Sequence, residues 1–318
     1  WSIAFNCDQT KLVIGGTGGG GLTPTPYVYD VSTVTGAVMA SAMVAGGGGL
    51  FNSQEVRAIT PCGNSKYYWL SHDTIGWLHQ NFAFCPTGSN KFKRGSTYGL
   101  SYKCENWRYN NSGICAIKAN TNFVYTHRGS IIDRRDLNNA AILSTAAVPG
   151  GAFASSQVRN SGIDIDACGN VYAGSANQVI KYDANLNVLA TYATSFFVYD
   201  VHVSTGGDII ACGATGTSGS TPRTGYIQSI PAAACGILAL TCCDASICGP
   251  NYVCLPAGNF TLTANTAGGT WSGTGVSGTG VFNPTTAGVG THVITYSLAC
   301  GVGTTTITVA PSCAGVQL

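Results

Sequence analysis

The chain has 318 residues, enough for two domains and a sizeable core. Only 9% are charged and the formal net charge is +2, so no global attraction to nucleic acid or to a membrane surface is implied. Hydrophobic residues make up 45%, which excludes a disordered chain, and 14 cysteines fit an exported protein whose disulfides persist.

Charge is unevenly placed. Residues 91–136 hold nine of the 15 Lys and Arg and only three acids. From Ala245 to Leu318 there is no Asp, Glu, Lys or Arg. An uncharged all-β segment lacks the usual charged guards on its sheet edges, so Thr, Ser and Gly keep it soluble or it packs in an assembly. No apolar run is long enough to span a bilayer. The chain opens on Trp1, already at a strand start, and is expected to be part of a longer protein.

In chain order, residues 2–6 and 11–15 read as two strands around a turn at Cys7-Asp8-Gln9-Thr10. A Gly- and Pro-rich insertion over 16–26 precedes strands at 27–31 and 37–42. The rhythm recurs at 56–61, 66–71 and 75–79, with a Cys62-Gly63-Asn64 turn. Residues 81–111 read as a long inserted loop carrying Cys85 and Cys104. Strands at 114–118, 123–127, 131–135 and 141–146 make a third unit. The fourth unit is the clearest, at 162–167, 171–175, 179–183 and 188–193. Each run is rich in Val, Ile and Tyr, and each break carries Gly or Asn. Residues 199–204, 208–212 and 225–230 make a fifth unit. Four antiparallel strands in about 30 residues is the unit of a β-propeller blade, so residues 1–231 are expected to be propeller-like, with a ring that can be incomplete. A β-sandwich is the plainer alternative.

Residues 232–249 change character and are expected to be a Cys-rich linker, since four cysteines fall within 235–248. Residues 250–310 alternate apolar residues with Thr or Ser in short runs, which predicts a small Ig-like β-sandwich. Cys254 and Cys300 are a plausible bridge in it, although spacing does not fix connectivity. Residues 311–318 read as a connector to a further domain.

Three markers carry a family resemblance: Gly269-Thr270-Trp271-Ser272-Gly273, Gly280-Val281-Phe282-Asn283-Pro284, and the Gly-Thr-His-x-Ile-Thr-Tyr strand beginning at Gly290. With them, residues 267–301 resemble the Ig-like repeats of very large secreted surface proteins of Bacteroidota. The blade-like turns of the front part resemble propeller-like regions in proteins of the same kind. The resemblance implies export by a type IX secretion system, with the sorting domain downstream. It implies an adhesin, gliding-motility factor or extracellular filament, and it brings no catalytic residues.

Several residue groups are candidates for chemistry. Gly16-Thr17-Gly18-Gly19-Gly20-Gly21 satisfies G-x-G-x-x-G after a strand, but Leu22-Thr23-Pro24-Thr25-Pro26 cannot open the helix a dinucleotide needs. Asp164 and Asp166 share one strand face, as do Asp200 and His202, and Glu55 and Arg57. If first strands line a channel, these can converge as an acid–base group or a Ca²⁺ site, or simply bond each other and water. Aligned through their cysteines, the turns set Asp164 and Asp166 opposite Ile3 and Phe5, and opposite Ala58 and Thr60, so no carboxylate recurs. Cys242, Cys243, Cys248 and Cys254 lack the paired C-x₂-C arms of common zinc sites and read as disulfides. His72-Asp73 and His127-Arg128 sit at strand ends with no nucleophile context and read as solvated turns. Lys91, Lys93, Arg94, Lys103 and Arg108 interleave with Phe92, Tyr98, Tyr102, Trp107 and Tyr109. That 91–109 loop either packs on the propeller rim or meets a cell-surface glycan or protein. Sequons at Asn110 and Asn259, and Asp73-Thr74-Ile75, matter only in a glycosylating host.

The expectation is therefore a non-enzymatic extracellular structural or adhesive module of a bacterial cell-surface appendage. It would be cell-surface attached, self-associating or packed on neighbouring domains, with no nucleic acid and no direct membrane insertion. No catalytic, cofactor or metal residue is assigned. The alternative is a carbohydrate-binding or carbohydrate-active propeller.

Overall fold

The computed structural model describes residues 2–6, 9–18, 25–43, 58–62, 66–70, 74–79, 93–94, 116–137, 141–149, 162–215, 224–238, 244–299 and 301–312. The protein is all-β. Described residues up to Leu238 form one unit and those from Asp244 onward form a second.

The first unit is a series of antiparallel meanders. The first sheet is β1 (Ser2–Phe5), β2 (Lys11–Gly18), β3 (Thr25–Ser32) and β4 (Val38–Met43), in that order. The second is β5 (Ala58–Cys62), β6 (Lys66–Leu70), β7 (Thr74–His79) and β8 (Lys93–Arg94). The third is β9 (Ala116–Ala119), β10 (Phe123–His127), β11 (Ile131–Asp136) and β12 (Ile142–Ala147). The fourth is β13 (Ile163–Ile165), β14 (Val171–Ser175), β15 (Gln178–Tyr182) and β16 (Val188–Ala193). The fifth has three strands, β17 (Phe197–Val203), β18 (Ile209–Ala214) and β19 (Gly225–Ile230). The inner strands β1, β5, β9, β13 and β17 contact one another in that order. This is propeller-like β structure.

Two sequence expectations change here. The 16–26 insertion is shorter, because β2 and β3 extend into it and pair as far as Gly18 with Thr25. The 81–111 loop contains β8, which pairs with β7 through Thr74–Arg94 and Ile75–Lys93 and completes the second sheet. A two-residue strand far from its partner carries no periodic signal. The rest of the 91–109 loop lies outside the described residues, as do Glu55, Arg57, His72 and Asp73.

Four of the first meander turns, all that lie among the described residues, are closed by a polar side chain at the end of the inner strand. The Asn6 Oδ1 accepts from the Lys11 N–H at 2.9 Å, and the Asn120 Oδ1 from Asn122 and Phe123 at 2.8 Å. The Asp166 Oδ1 accepts from Cys168 and Asn170 at 3.0 and 2.9 Å, and the Ser204 Oγ from Asp208 at 3.0 Å. Asn120 and Asp166 make Asx-turns, and Asn6 and Ser204 reach across the turn, but in all four a short side chain satisfies an amide the ladder leaves over.

Sheets are tied to their neighbours by a repeated tyrosine. Tyr68, Tyr125 and Tyr172 occupy the same position on β6, β10 and β14, and all three are buried. The Tyr68 hydroxyl donates to the Leu137 carbonyl in the third sheet, and Tyr125 to Ala184 in the fourth at 3.0 Å. Tyr172 donates to its own sheet's Asp166 Oδ2 at 3.0 Å. Among the described residues the fifth sheet has three strands, and no turn between a third and a fourth is there to accept it.

The core lies between facing sheets. Tyr125, Ile132, Ile163, Ile165, Val171 and Ile180 pack between the third and fourth. Val179, Val198, Val201, Val203, Ile209 and Ile230 pack between the fourth and fifth. At Gly162 the inner strands approach so closely that a Cβ would lie 2.6 Å from the Asp200 Cα, and φ is +93°. Fourth strands expose apolar pairs, Val38-Met39, Ile142-Leu143 and Val188-Leu189. Each pair lies at a register shift against the third strand, a β-bulge that twists the outer edge away from flat pairing.

The second unit contains β20 (Ile247–Cys248), β21 (Tyr252–Cys254), β22 (Phe260–Thr261), β23 (Thr263–Ala264), β24 (Thr270–Gly273) and β25 (Val281–Phe282). A short helix, α1 (Pro284–Ala287), then leads into β26 (Gly290–Leu298) and β27 (Gly301–Ala310). The main sheet has the order β21-β27-β26-β24, with β21 parallel to β27. The run at 260–264 is broken at buried Leu262: β22 pairs with β25 and β23 with β20. Leu262, Phe282, Ile294, Ile307 and Val309 form the core, with Trp271 against it. Asn283 caps α1, its Oδ1 accepting from Thr286 at 3.0 Å, with Pro284 at the helix start.

Candidate functional site

The inner-strand register places one residue per sheet on a common row. Ala4 pairs with Val13, Thr60 with Tyr68, Lys118 with Tyr125, Asp164 with Tyr172 and His202 with Ile210. Each row residue lies two before the end of its meander's inner segment, four of which are the turn-closing residues Asn6, Asn120, Asp166 and Ser204. This corrects the cysteine-based alignment. Cys62 is the last residue of β5 and pairs with Lys66, whereas Cys168 lies inside its turn. The true counterparts of Asp164 are Ala4 and Thr60.

The row is where ionisable groups meet. The Lys118 Nζ lies 2.7 Å from the Asp164 Oδ1, and the His202 Nδ1 lies 3.1 Å from the Asp164 Oδ2. The Val203 N–H donates to that same Oδ2 at 2.8 Å, so one carboxylate holds the inner strands of three consecutive sheets. Thr60 makes the same kind of link more weakly, its Oγ1 accepting from the Ala119 N–H at 3.4 Å. Asp164 is buried, while His202 is 68% exposed at its side chain.

Burial alone would raise the Asp164 pKa. Hydrogen bonds from His202 and Lys118, the Lys118 charge and the Val203 amide outweigh it and hold the carboxyl at about 2. The same hydrogen bond raises His202 against a smaller opposing effect of desolvation. Asp200 shares the strand face with His202, and its surface is exposed. Desolvation first, then the like charge of Asp164, push its carboxyl up, opposed by the Val201 amide, Lys118 and His202. Cys212, paired with Asp200 across β17 and β18, is a free thiol. Desolvation and the Asp200 charge both raise it, away from the thiolate a nucleophile needs.

Of the sequence candidates, then, Asp164, Asp200 and His202 do gather, and Lys118 joins them. Asp166 does not. It is buried at the end of β13, bonded to Asn170 and Tyr172 and to the Cys235 amide. Beside it the Cys168–Cys235 disulfide ties the segment after β19 back to the fourth sheet. Asp166, Cys168 and Cys235 are the one group among the described residues whose ligand atoms lie within 4.8 Å of one another, and both sulfurs are consumed in the disulfide. The Asp164 group does not bring three such atoms within that distance. Cys248 and Cys254 are disulfide-bonded, and Cys242, Cys243 and Cys300 lie outside the described residues.

His127, read as a solvated turn, is fully buried instead. Its Nδ1 accepts the Gly129 N–H at 2.9 Å, so its Nε2 carries the proton and donates to the Gly174 carbonyl of the fourth sheet at 2.7 Å. Desolvation lowers its pKa to about 4. Asp133 is buried between Arg128 and Arg135, and Thr126 bridges the pair. Lys118 was legible through the turn residues, since it lies two before Asn120 as Asp164 lies two before Asp166.

No family model matches the chain, and no curated protein matches it. Solved structures do. A chain of "Crystal Structure of Mitotic Checkpoint Complex" is similar at 11% identity and TM-score 0.47, over 72% of this chain and 64% of that one. A chain of "Structure of U3-55K" is similar at 11% identity and TM-score 0.43, over 72% and 66%. A protein of unknown function from Bacteroides caccae is similar at 11% identity and TM-score 0.38, over 69% and 72%. The chain thus spans just under two thirds of the first two. No helix among the described residues is long and apolar enough to cross a membrane.

Proposed function

We propose that the protein is a non-enzymatic extracellular structural or adhesive module of a bacterial cell-surface appendage. In this reading the five sheets are blades of a propeller and the second unit is an Ig-like sandwich. The observation that carries the reading is how the inner row uses its ionisable groups. Asp164 is locked by Lys118, His202 and the Val203 amide, so it binds sheets together and is withdrawn from acid–base work. Disulfides at Cys168, Cys235, Cys248 and Cys254 suit an oxidising compartment. The resemblance of residues 267–301 to repeats of secreted surface proteins supplies the setting.

The test is where the native protein resides. Protease shaving of intact source cells, followed by mass spectrometry, is expected to release its peptides from an ordered surface assembly. A native protein found only as a freely secreted monomer overturns the reading.

A second reading, a glycan-binding or glycan-processing propeller, is favoured by one feature: Asp200 and His202 are exposed side by side on β17. A glycan panel probed with the wild type and with Asp200→Asn decides it. Binding lost in the variant supports it, and no binding by the wild type removes it.

A further inference from the structure

The β26–β27 hairpin has two unlike faces. Ile294, Tyr296, Ile307 and Val309 turn to the core and are buried. The other face pairs Thr291 with Thr308, Val293 with Thr306, Thr295 with Thr304, and Ser297 with Val302. Cross-strand partners in an antiparallel pair share a face, so these residues form one continuous surface. Thr291, Thr304 and Thr306 are exposed, and Val293 and Val302 are 57% and 65% exposed. Outer faces of antiparallel sheets usually carry charge, but this one has none, and the unit has none past Asp244.

We propose that this Thr/Val face is a homotypic interface, occupied by the same face of a second copy of the chain. The inference rests on the structural-module reading above and names its contact surface. Charge matching selects the occupant. A partner with Lys, Arg, Asp or Glu at the contact would lose water from those charges with nothing opposite to pair them. A second copy brings a surface equally free of charge, and threonine hydroxyls that can donate and accept in turn. Thr291 and Thr308 already show such an exchange, with their oxygens 3.3 Å apart. The two exposed valines, on β26 and β27, lie on the sheet face rather than in line with its strand edges. Face-to-face packing reaches them, whereas edge-to-edge pairing does not. The isologous arrangement is the commonest symmetry for like copies. The sheet face is roughly 500 Å² per copy from strand spacing and rise, near the low end for specific interfaces, so a single contact is weak and gains strength in an array.

The full chain is examined by sedimentation equilibrium up to about 1 mM, beside Thr306→Lys and Val293→Lys, with folding checked by hydrogen exchange. The wild type is expected to dimerise, and each folded variant to weaken the dimer at least tenfold. A dimer unchanged by lysine on this face overturns the proposed surface while leaving a self-associating module intact. A wild type that stays monomeric over the whole range overturns both the surface and self-association. Should the variants unfold, hydroxyl-radical footprinting of the wild type across the dilution series decides. Protection of Val293 and Val302 only at high concentration supports the interface, and equal labelling throughout overturns it.

Discussion

The first unit buries Asp133, Arg135, Asp164 and His127 between its sheets, whereas the second buries one charged side chain, Asp244 at its start, and has none after it. Both are all-β and both alternate apolar and polar residues, yet they are held together differently. The sheets of the first unit are tied by tyrosine hydroxyls, one histidine and an ion cluster that cross from one sheet to the next. The second unit relies on a small apolar core and, apart from Asp244, which accepts from Ser246 and Asn265, on hydrogen bonds between uncharged groups. A repeat whose neighbours must keep a fixed order gains from directional polar links. A single small unit has only one packing to specify.

The largest expected effect comes from the covalent link. The Cys168–Cys235 bridge closes a loop with a sequence separation of 67, for which chain entropy gives about 4 kcal/mol. Replacing both cysteines by serine is expected to lower first-unit stability by about that amount, with the second unit unchanged. Amide exchange measured by mass spectrometry reads the two separately. Equal losses in both would show that they unfold as one body and would break the contrast.

Acid is the next lever, and it sharpens the contrast directly. Buried neutral His127 has a folded pKa of about 4 against 6.5 unfolded. Between those values the unfolded chain binds the extra proton, so stability is full above about pH 6.5 and falls toward pH 4, by about 3 kcal/mol. Asp164, at about 2 against 3.8, adds a further loss as pH falls below 3.8 toward 2. His202 acts in the opposite sense: its pKa is raised, so its contribution is full below 6.5 and is lost as pH rises through the folded value. First-unit protection should therefore peak near neutrality and fall toward pH 4, partly offset by the raised carboxyls of Asp133 and Asp200, with His127→Gln flattening the slope between pH 6.5 and 4. Second-unit protection should change far less, since Asp244 is the one carboxyl side chain among its described residues. A matching acid loss in the second unit would assign the effect elsewhere.

The repeat was readable because its signals are local. Val, Ile and Tyr runs broken by Gly and Asn mark strands and turns without reference to the rest of the chain. Register was harder. Cysteine is no marker of turn position, since a disulfide partner fixes it, while the turn-closing oxygen at Asn6, Asn120, Asp166 and Ser204 is fixed by local geometry. Aligning on cysteine hid the fact that Thr60, Lys118, Asp164 and His202 share one row. The search for carboxylates then passed over Lys118, a cation that the row needs for Asp164 to stay ionised. His127 was misread because burial between two sheets is a long-range fact. Nothing in its immediate neighbours announces Gly174 as a partner.

The smallest effects are expected from single hydroxyls, and they test whether the polar links differ in kind. The Tyr296 hydroxyl in the second unit donates to the Thr266 carbonyl at 2.9 Å and accepts from the Gly269 amide at 2.7 Å. Tyr296→Phe strands two backbone groups and is expected to cost about 2 kcal/mol. The Tyr125 hydroxyl has one backbone partner, Ala184, whose carbonyl also accepts from the Arg134 Nη1 at 3.2 Å. Tyr125→Phe leaves that carbonyl still bonded, so the cost should be near 0.5–1 kcal/mol. Denaturant melts followed by exchange in each unit provide the comparison. If Tyr125→Phe proves the costlier, the inter-sheet tyrosines are worth more than their bond count, through cooperativity between neighbouring sheets. The first unit would then owe its order to the repeated hydroxyl rather than to the ion cluster at Asp164.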